Sequence, residues 1–261
     1  MSYCDITCDH MSIIGTETTE GLASAGANRL EEQAYRTLRE ALIRGDFAPG
    51  EQLSIRRIAK ALGISAMPVR TSLRRLVAEQ SFDLGAGGTA IVPELRRAEF
   101  VEISRLRTML EPAAAALAAE TITGDELDAI RALAVGGNEK RRGGDERGYQ
   151  LANYEFHFAV YRAAHSPLLL SMIETLWVRR SPIMREAQPL LHARGNDLHD
   201  ELILALKNRD ATRAATVLRE DIEGTGAFLI DRLRFPDDTP QASGIAMLKP
   251  LPPRTRSEGS R

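Results

Sequence analysis

Apolar residues recur every three or four positions in two segments near the start of the chain, as they do along one face of a helix. The first segment covers residues 30–44 and ends at Gly45 and the turn at residues 48–50. The second follows Ser54, whose hydroxyl can accept a hydrogen bond from the first turn of a helix, and it ends at Gly63. The pattern predicts two helices, the second of them short.

A third segment with helical spacing follows Ser65, and Pro68 lies in its first turn, where a missing amide hydrogen costs little. Its inward positions are Val69, Leu73 and Leu76. Two short extended runs come next, at residues 82–84 and 89–92, around a glycine-rich stretch. The order helix, helix, turn, helix, hairpin is typical of a winged helix-turn-helix.

After Pro93 the pattern changes to long amphipathic helices with no further strand signal. The first stripe of apolar residues ends near Thr121, and Thr123 with Glu126 has the spacing of a capping box for the next helix. Paired glycines around a charged stretch predict a loop over residues 136–144. Further helices are predicted over residues 145–165, 167–187, 197–208 and 211–234.

The predicted fold class is mainly α, with an N-terminal winged helix-turn-helix followed by an all-α helical bundle. The expected boundaries are a disordered segment at 1–28, the winged domain at 29–97, the helical domain at 98–234 and a flexible tail at 235–261. The tail is rich in Pro, Ser and Arg and has too few apolar residues to pack.

Composition indicates a soluble globular protein, with 43% hydrophobic and 27% charged residues. No apolar run approaches the ~20 residues of a membrane helix, and the acidic leading segment does not resemble a secretion signal. We therefore expect a cytoplasmic protein with no membrane partner. Cys4 and Cys8 form a C-x3-C-x-H cluster with His10 that could bind a soft metal but offers no fourth ligand.

The charge is distributed unevenly, although the net charge is only −2. Residues 29–97 hold 12 Arg or Lys against 8 Asp or Glu, whereas the rest of the chain holds 22 against 28. Residues 52–78 contain no acid, and their bases are Arg56, Arg57, Lys60, Arg70, Arg74 and Arg75. Such a local positive surface favours a partner that carries phosphates, unless it is simply a solvated basic face.

The second helix of the pair joined at Gly63 would enter the major groove of DNA, with its first residues towards base edges. Arg70 and Arg74 are four apart and share a face, from which guanidinium groups can pair with phosphates or guanine. A glycine-rich wing can approach the sugar-phosphate backbone closely, because glycine has no side chain.

Four segments of the N-terminal domain together form a family pattern: LREALIRG at 38–45, PGEQL at 49–53, IAKALGIS at 58–65 and PVRTSLRRL at 68–76. Through these segments the domain resembles the GntR transcription regulators. It implies that Arg56, Ser65 and Arg70 contact double-stranded operator DNA, with Arg74 beside them. The alternative is a winged domain that serves protein contacts only.

Four positions depart from the family's usual pattern. Ala66 and Met67 stand where an Arg and a Thr commonly follow the capping Ser, which removes two possible contacts to DNA. Gln80 and Asp83 stand where a Gly and a neutral or basic residue are favoured before the wing. The departures imply an operator that differs from the usual one, or weaker binding.

Three ionisable residues of the helical half lie on apolar faces of separate predicted helices: His157, His199 and Asp221. Inward ionisable groups are costly unless they pair or bind an ion. Two imidazoles with a carboxylate suit a divalent transition metal. Satisfied core histidines are the alternative.

Three segments of the helical half also form a family pattern: RLRTMLEPAAAALAAE at 105–120, the FH pair at 156–157 and H-x5-A-L at 199–206. Through them the helical half resembles the ligand-sensing domain of the FadR branch of GntR regulators, called FCD. The resemblance implies a divalent metal ion such as zinc, held by Asn153, His157, His199 and Asp221. Asn153 and Asp221 depart from the Asp and His usual in the family, yet both can still offer an oxygen.

The same resemblance implies a small organic acid as effector, with Arg107 as a candidate for a bidentate pair to its carboxylate. We expect a homodimeric regulator, a repressor, in which effector binding changes the arrangement of two DNA-binding heads. Two alternatives come from other classes, a metal-dependent hydrolase and an architectural DNA-binding protein. The hydrolase lacks a nearby general-base motif such as H-E-x-x-H.

Overall fold

The computed structural model describes residues 17–194 and 198–238. The N-terminal part consists of α1 (Glu17–Ile43), β1 (Gln52–Leu53), α2 (Ile55–Leu62), α3 (Ala66–Ala78), β2 (Asp83–Leu84) and β3 (Ala90–Ile91). The three strands form an antiparallel sheet in the order β1-β3-β2. A winged helix-turn-helix was predicted, and β1 is the strand that the pattern missed.

The core of this part lies between α1, α3 and the sheet. Val69 and Leu76 of α3 are fully buried, and Leu42 of α1 and Phe82 pack in the same cluster. The Ser54 hydroxyl accepts from the Arg57 amide at 3.3 Å, and Gly63 ends α2 in the left-handed region at φ +66°. The predicted start and end of α2 are therefore both confirmed, by the polar cap and by the glycine.

The C-terminal part is a bundle of helices. These are α4 (Arg97–Thr121), α5 (Gly124–Arg142), α6 (Glu146–Arg162), α7 (Pro167–Arg180), α8 (Met184–Arg194), α9 (Leu198–Lys207) and α10 (Ala211–Ile230). Buried alanines of α4 lie in one core with Phe156, Val217 and Leu218, where their small size lets α4 and α10 pack closely. None of the described helices is both long and apolar enough to span a bilayer.

The structure corrects four sequence expectations. α1 begins at Glu17, so residues 17–28 are helical and the expected disordered segment is too long. Gly136 and Gly137 lie inside α5, and only Gly143 and Gly144 form the predicted loop. The helix expected over 167–187 is interrupted by a 3₁₀ turn at Ser181–Ile183, and Phe235, assigned to the tail, is buried.

Each correction has a physical cause. Extending a helix that has already formed costs little, so α1 can continue into a segment without an apolar stripe. Gly137 is buried and faces Ala152, where an added Cβ would lie 3.4 Å from that methyl group. Pro182 removes a backbone donor where the helix tightens. Phe235 packs on Phe100 at a ring separation of 5.5 Å. Cys4, Cys8 and His10 lie outside the described residues.

The two parts meet where α1 ends. The Gln188 side-chain amide donates to the carbonyl of Arg44 at 2.6 Å, and that of Gln150 donates to the carbonyl of Ile43 at 3.2 Å. Gly45 has φ +68°, and a Cβ there would lie 2.9 Å from the backbone nitrogen of Arg185. Side chains of α6 and α8 thus satisfy carbonyls that the end of α1 leaves open.

Candidate functional site

The first candidate site is the outer surface of α2 and α3. The side chains of Arg56, Arg70 and Arg74 are exposed, and no acid of the described residues forms an ion pair with them. Ser65 is exposed at the N-cap position of α3, but its hydroxyl makes no capping bond, unlike the cap that the sequence predicts. The hydroxyl and the three guanidinium groups are therefore available to a nucleic-acid backbone.

Arg75 belongs to the same basic run but has a structural role. It pairs with Glu32 at 3.0 Å and with Glu79 at 3.1 Å, and its guanidinium lies 3.6 Å from the centre of the Tyr35 ring. These contacts hold α3 against α1. The run of bases therefore divides into cations that face solvent and one that packs the domain.

The hairpin lies beside the helix surface. Arg70 and Arg74 line a crevice of about 250 Å³ between α3 and the hairpin, together with Leu84 and Gly88. Leu84 of the wing is 70% exposed, and Met67 at the start of α3 is 66% exposed. The helix and the wing therefore present one continuous outer surface, with apolar side chains at both ends.

The second candidate site is a cluster of buried ionisable groups. His157 of α6, His199 of α9 and Asp221 of α10 place their ligand atoms within 4.8 Å of one another. The two imidazole Nε2 atoms are 3.4 Å apart, and His157 Nε2 is 3.4 Å from a carboxylate oxygen of Asp221. A tetrahedral ion with bonds of about 2.0–2.1 Å separates its donors by roughly 3.4 Å. The two separations that involve His157 therefore match the spacing of such an ion, and the third ligand atom lies within reach of the same point.

Burial keeps both histidines in the form that binds metals. It lowers the pKa of His199 to about 4, and burial together with the neighbouring His199 and Arg107 lowers the pKa of His157 well below its usual value. Both imidazoles are then neutral near pH 7, with a lone pair for a metal. His199 also stacks on Phe156 at 3.9 Å between ring centres, which fixes its orientation.

A buried network lies behind His157. The Tyr161 hydroxyl donates to Glu111 at 2.5 Å and is 3.4 Å from His157 Nδ1. Glu111 is fully buried and also accepts from Trp177 at 2.9 Å. Because the phenol proton lies towards Glu111, the Nδ1 proton of His157 can point to the phenol oxygen, which leaves Nε2 facing the other ligands.

Asn153 and Arg107 line the cavity beside this cluster, as does His157. Arg107 is buried and forms a bidentate pair with Glu111 one turn along α4, at 2.6 and 3.0 Å. From the sequence, Arg107 was predicted to bind the carboxylate of an effector. The structure places a carboxylate of the protein itself on that guanidinium.

Arg180 lines the same cavity and was missed by the sequence analysis. It is the last residue of α7, and burial, with the nearby Arg107, lowers its pKa to about 9. A signal was available, because Arg180 falls on the helix face of Ile173 and Trp177, both of them buried. An arginine on the apolar face of a helix indicates a charge that is buried in the fold, which is costly unless it is compensated.

The cavity extends from the ionisable cluster to the end of the DNA-binding part. Ile43, the last residue of α1, forms part of its wall, next to Gln150 and Gln188. These are the two residues whose amides bind the carbonyls at the end of α1. A molecule in the cavity would therefore lie beside both the cluster of His157, His199 and Asp221 and the junction of the two domains.

Comparison with known proteins identifies both parts of the chain. Residues 30–82 match bacterial regulatory proteins of the gntR family, and residues 102–224 match the FCD domain. The HTH-type transcriptional regulator McbR of Escherichia coli K12 is 31% identical over 201 residues, which is 76% of this chain and 91% of McbR. The chain belongs to the GntR family. This GntR protein is a DNA-binding transcription regulator whose C-terminal half is an FCD domain.

Other relatives agree with this assignment. The HTH-type transcriptional repressor GlaR of E. coli K12 is 28% identical over 207 residues, covering 72% of this GntR protein and 90% of GlaR. The solved structure of E. coli McbR/YncC superposes with a TM-score of 0.74 at 30% identity, over 78% of this chain and 98% of that one.

A GntR regulator from Rhodococcus sp. RHA1 shares the fold, with a TM-score of 0.66 at 21% identity, over 78% of this chain and 99% of that one. The predicted fold class is confirmed by these matches. They give no support to the metal-dependent hydrolase that the sequence analysis kept as an alternative.

Proposed function

We propose that this GntR regulator is a homodimeric repressor of the FadR branch whose operator binding is controlled by a small organic acid held beside a divalent metal ion. The observation that carries the proposal is the cavity that joins the His157, His199 and Asp221 cluster to Ile43 at the end of α1. One bound molecule can thus contact the sensing domain and the DNA-binding domain at once.

The DNA-binding residues of the proposal are Arg56, Ser65, Arg70 and Arg74. Their exposure and their positions on α2 and at the N-terminal half of α3 support contact with phosphates and base edges of an operator in the cytoplasm. A homodimer would present two such surfaces to a symmetric operator. The repressor assignment follows the name of the relative GlaR.

The metal ligands of the proposal are His157, His199 and Asp221, with Asn153 as a fourth that lines the cavity. A divalent ion such as zinc would supply positive charge and a free coordination position for an oxygen of the effector. The protein's own part is to hold the imidazoles neutral and oriented, through burial, the Phe156 stack and the Tyr161 hydroxyl.

Control by an effector requires that the ligand bind one arrangement of the two domains better than another. The amides of Gln150 and Gln188 line the cavity and also hold the end of α1. A ligand that changes the position of either side chain therefore changes the position of α1 relative to the C-terminal part. Because Arg75 of α3 contacts Glu32 and Tyr35 of α1, α3 would move with α1.

Replacing Arg70 tests the DNA surface. Arg70→Ala removes an exposed guanidinium without disturbing the core, so operator affinity should fall by about 1–3 kcal/mol with an unchanged melting temperature. Arg131→Ala, on the exposed face of α5, is the matched control and should bind like the wild type. Binding is measured by fluorescence anisotropy with the DNA upstream of the regulator's own coding region. Unchanged affinity of Arg70→Ala would refute the assignment.

Replacing His199 tests the metal site. His199→Ala removes one of three close donors, so the zinc content after equilibration and desalting should fall from about one ion per chain to a small fraction of that. His165→Asn is the control, because His165 lies in a left-handed turn outside the cluster. Metal is measured by mass spectrometry, and DNA binding of the unliganded variant should persist. Full metal content in His199→Ala would exclude this cluster as the site.

A further inference from the structure

Arg180 is a buried cation for which the described residues provide no hydrogen bond or ion pair. It is 5% exposed, its Nε atom has no hydrogen-bond partner, and no side chain of the described residues forms an ion pair with it. Its guanidinium lies 4.7 Å from the centre of the Trp177 ring, which is its main neighbour. Burying an unpaired charge is costly, so such a group is normally matched by a counter-ion.

The other buried arginine of the cavity is already matched. Arg107 lies on the same Trp177 ring, also at 4.7 Å, and its charge is balanced by the bidentate pair with Glu111. Asp221 provides the remaining buried carboxylate, and it belongs to the metal cluster. Glu111 and Asp221 both favour the charge of Arg180, but Glu111 is already paired with Arg107 and Asp221 would be engaged by an ion, so Arg180 has no carboxylate of its own.

We propose that Arg180, and not Arg107, binds the carboxylate of the effector. This inference rests on the proposed function. Arg180 and His157 line the same cavity, so a carboxylate on the Arg180 guanidinium lies beside the ionisable cluster. A planar guanidinium suits the two oxygens of a carboxylate.

The test is ligand binding by the purified full chain loaded with Zn²⁺. The probes are acetate, glycolate, lactate and oxalate as small acids, citrate and benzoate as larger acids, and lactamide as a neutral analogue. Inorganic phosphate represents the other common anion. We expect at least one small acid to raise the melting temperature and to bind in calorimetry, and lactamide, which has no carboxylate, not to bind.

Two variants separate the roles of the arginines. Arg180→Gln should bind the small acid at least tenfold more weakly, while its unliganded melting temperature equals or exceeds that of the wild type, because an unmatched charge is removed. Arg107→Gln should instead lower the unliganded melting temperature, because Glu111 loses its partner. Arg179→Gln, one residue away and outside the cavity lining, is the control and should bind normally.

Each outcome decides something. Wild-type affinity in Arg180→Gln overturns the inference and leaves the proposed function intact if the acid still changes operator binding. A lower unliganded melting temperature of Arg180→Gln with unchanged affinity makes Arg180 a structural residue. Tighter binding of phosphate than of every small acid overturns the ligand class. If no small acid binds the wild type, both this inference and the proposed effector are wrong, whereas the Arg70→Ala result still tests DNA binding.

Discussion

Gln80 departs from the family pattern at a position where the backbone is strained for a residue with a side chain. It follows α3 with φ +58°, in the left-handed region where the Cβ of an L-residue is crowded. Glycine is favoured at this position in the GntR resemblance, and the backbone conformation explains that preference. The amide of Gln80 donates to Val77 and that of Ser81 to Leu76, so the turn is fixed by the end of α3.

Replacing Gln80 by glycine should therefore stabilise the protein. Relief of the left-handed strain is worth about 1–2 kcal/mol, and the added freedom of the unfolded chain returns roughly 0.5–1 kcal/mol. We expect Gln80→Gly to raise the free energy of unfolding by about 0.5–1 kcal/mol in urea denaturation. Gln80→Ala keeps a Cβ in the same conformation and should show no gain. An equal gain in both variants would contradict the strain argument.

The buried ionisable residues were predictable one by one but not as a set. His157, His199 and Asp221 were singled out because each interrupts an apolar face, and the structure brings all three together. Arg180 interrupts an apolar face in the same way and was overlooked. The pairing of Arg107 with Glu111 could be suspected from the i, i+4 spacing, but only the packing makes that pair buried.

At the scale of elements, helices were predicted well where a polar cap coincided with a change of pattern. The hydroxyl of Thr123 accepts from the amide of Glu126, as the spacing of the two residues predicts. The predictions were wrong where paired glycines were interpreted only as a loop signal, and where a proline within an apolar pattern was not interpreted as a helix break. Gly137 lies in a helix because its missing side chain lets α6 come close, and Pro182 interrupts the helix that the apolar spacing continues.

The structure of residues 17–28 and 235–238 also could not be predicted from the local apolar pattern or composition. α1 extends to Glu17 by propagation of a helix, a property that the apolar pattern does not record. Residues 235–238 were assigned to the tail by composition, yet Arg97 pairs with Asp238 at 2.7 Å, and its guanidinium lies 4.8 Å from the centre of the Phe235 ring. The local sequence does not predict that these residues pack against the start of α4, because that contact joins segments far apart in the chain.

At the scale of the whole molecule, the junction of the two domains has most consequence for function. Val178 of α7 packs in the core of the DNA-binding part, and Arg39 of α1 pairs with Glu174 at 3.1 Å. Together with the hydrogen bonds from Gln150 and Gln188 to the last carbonyls of α1, these contacts fix the position of α1 against the FCD domain. Regulation by a cavity ligand can act through these contacts, if the ligand favours one position of α1 over another.

Replacing Gln188 tests that route. Gln188→Ala removes the bond to the Arg44 carbonyl, so the effect of the small acid on operator affinity, measured at a concentration that saturates the variant, should be reduced severalfold. The effect is the ratio of operator dissociation constants with and without the acid that binds the wild type tightest. Asn208→Ala, exposed and distant from the junction, is the control and should keep the full ratio. A wild-type ratio in Gln188→Ala would mean that coupling takes another path.

The sequence by itself determined the class of the fold, the caps of α2 and α5, the cationic face of α2 and α3, and the three inward residues His157, His199 and Asp221. Each of these depends on spacing within one element or on one side chain against its local pattern. The tertiary structure alone decided that Arg107 is neutralised by Glu111, that Arg180 is left without a partner, and that the cavity reaches Ile43. Those facts depend on which elements meet, because burial and charge compensation are properties of contacts between residues far apart in the chain.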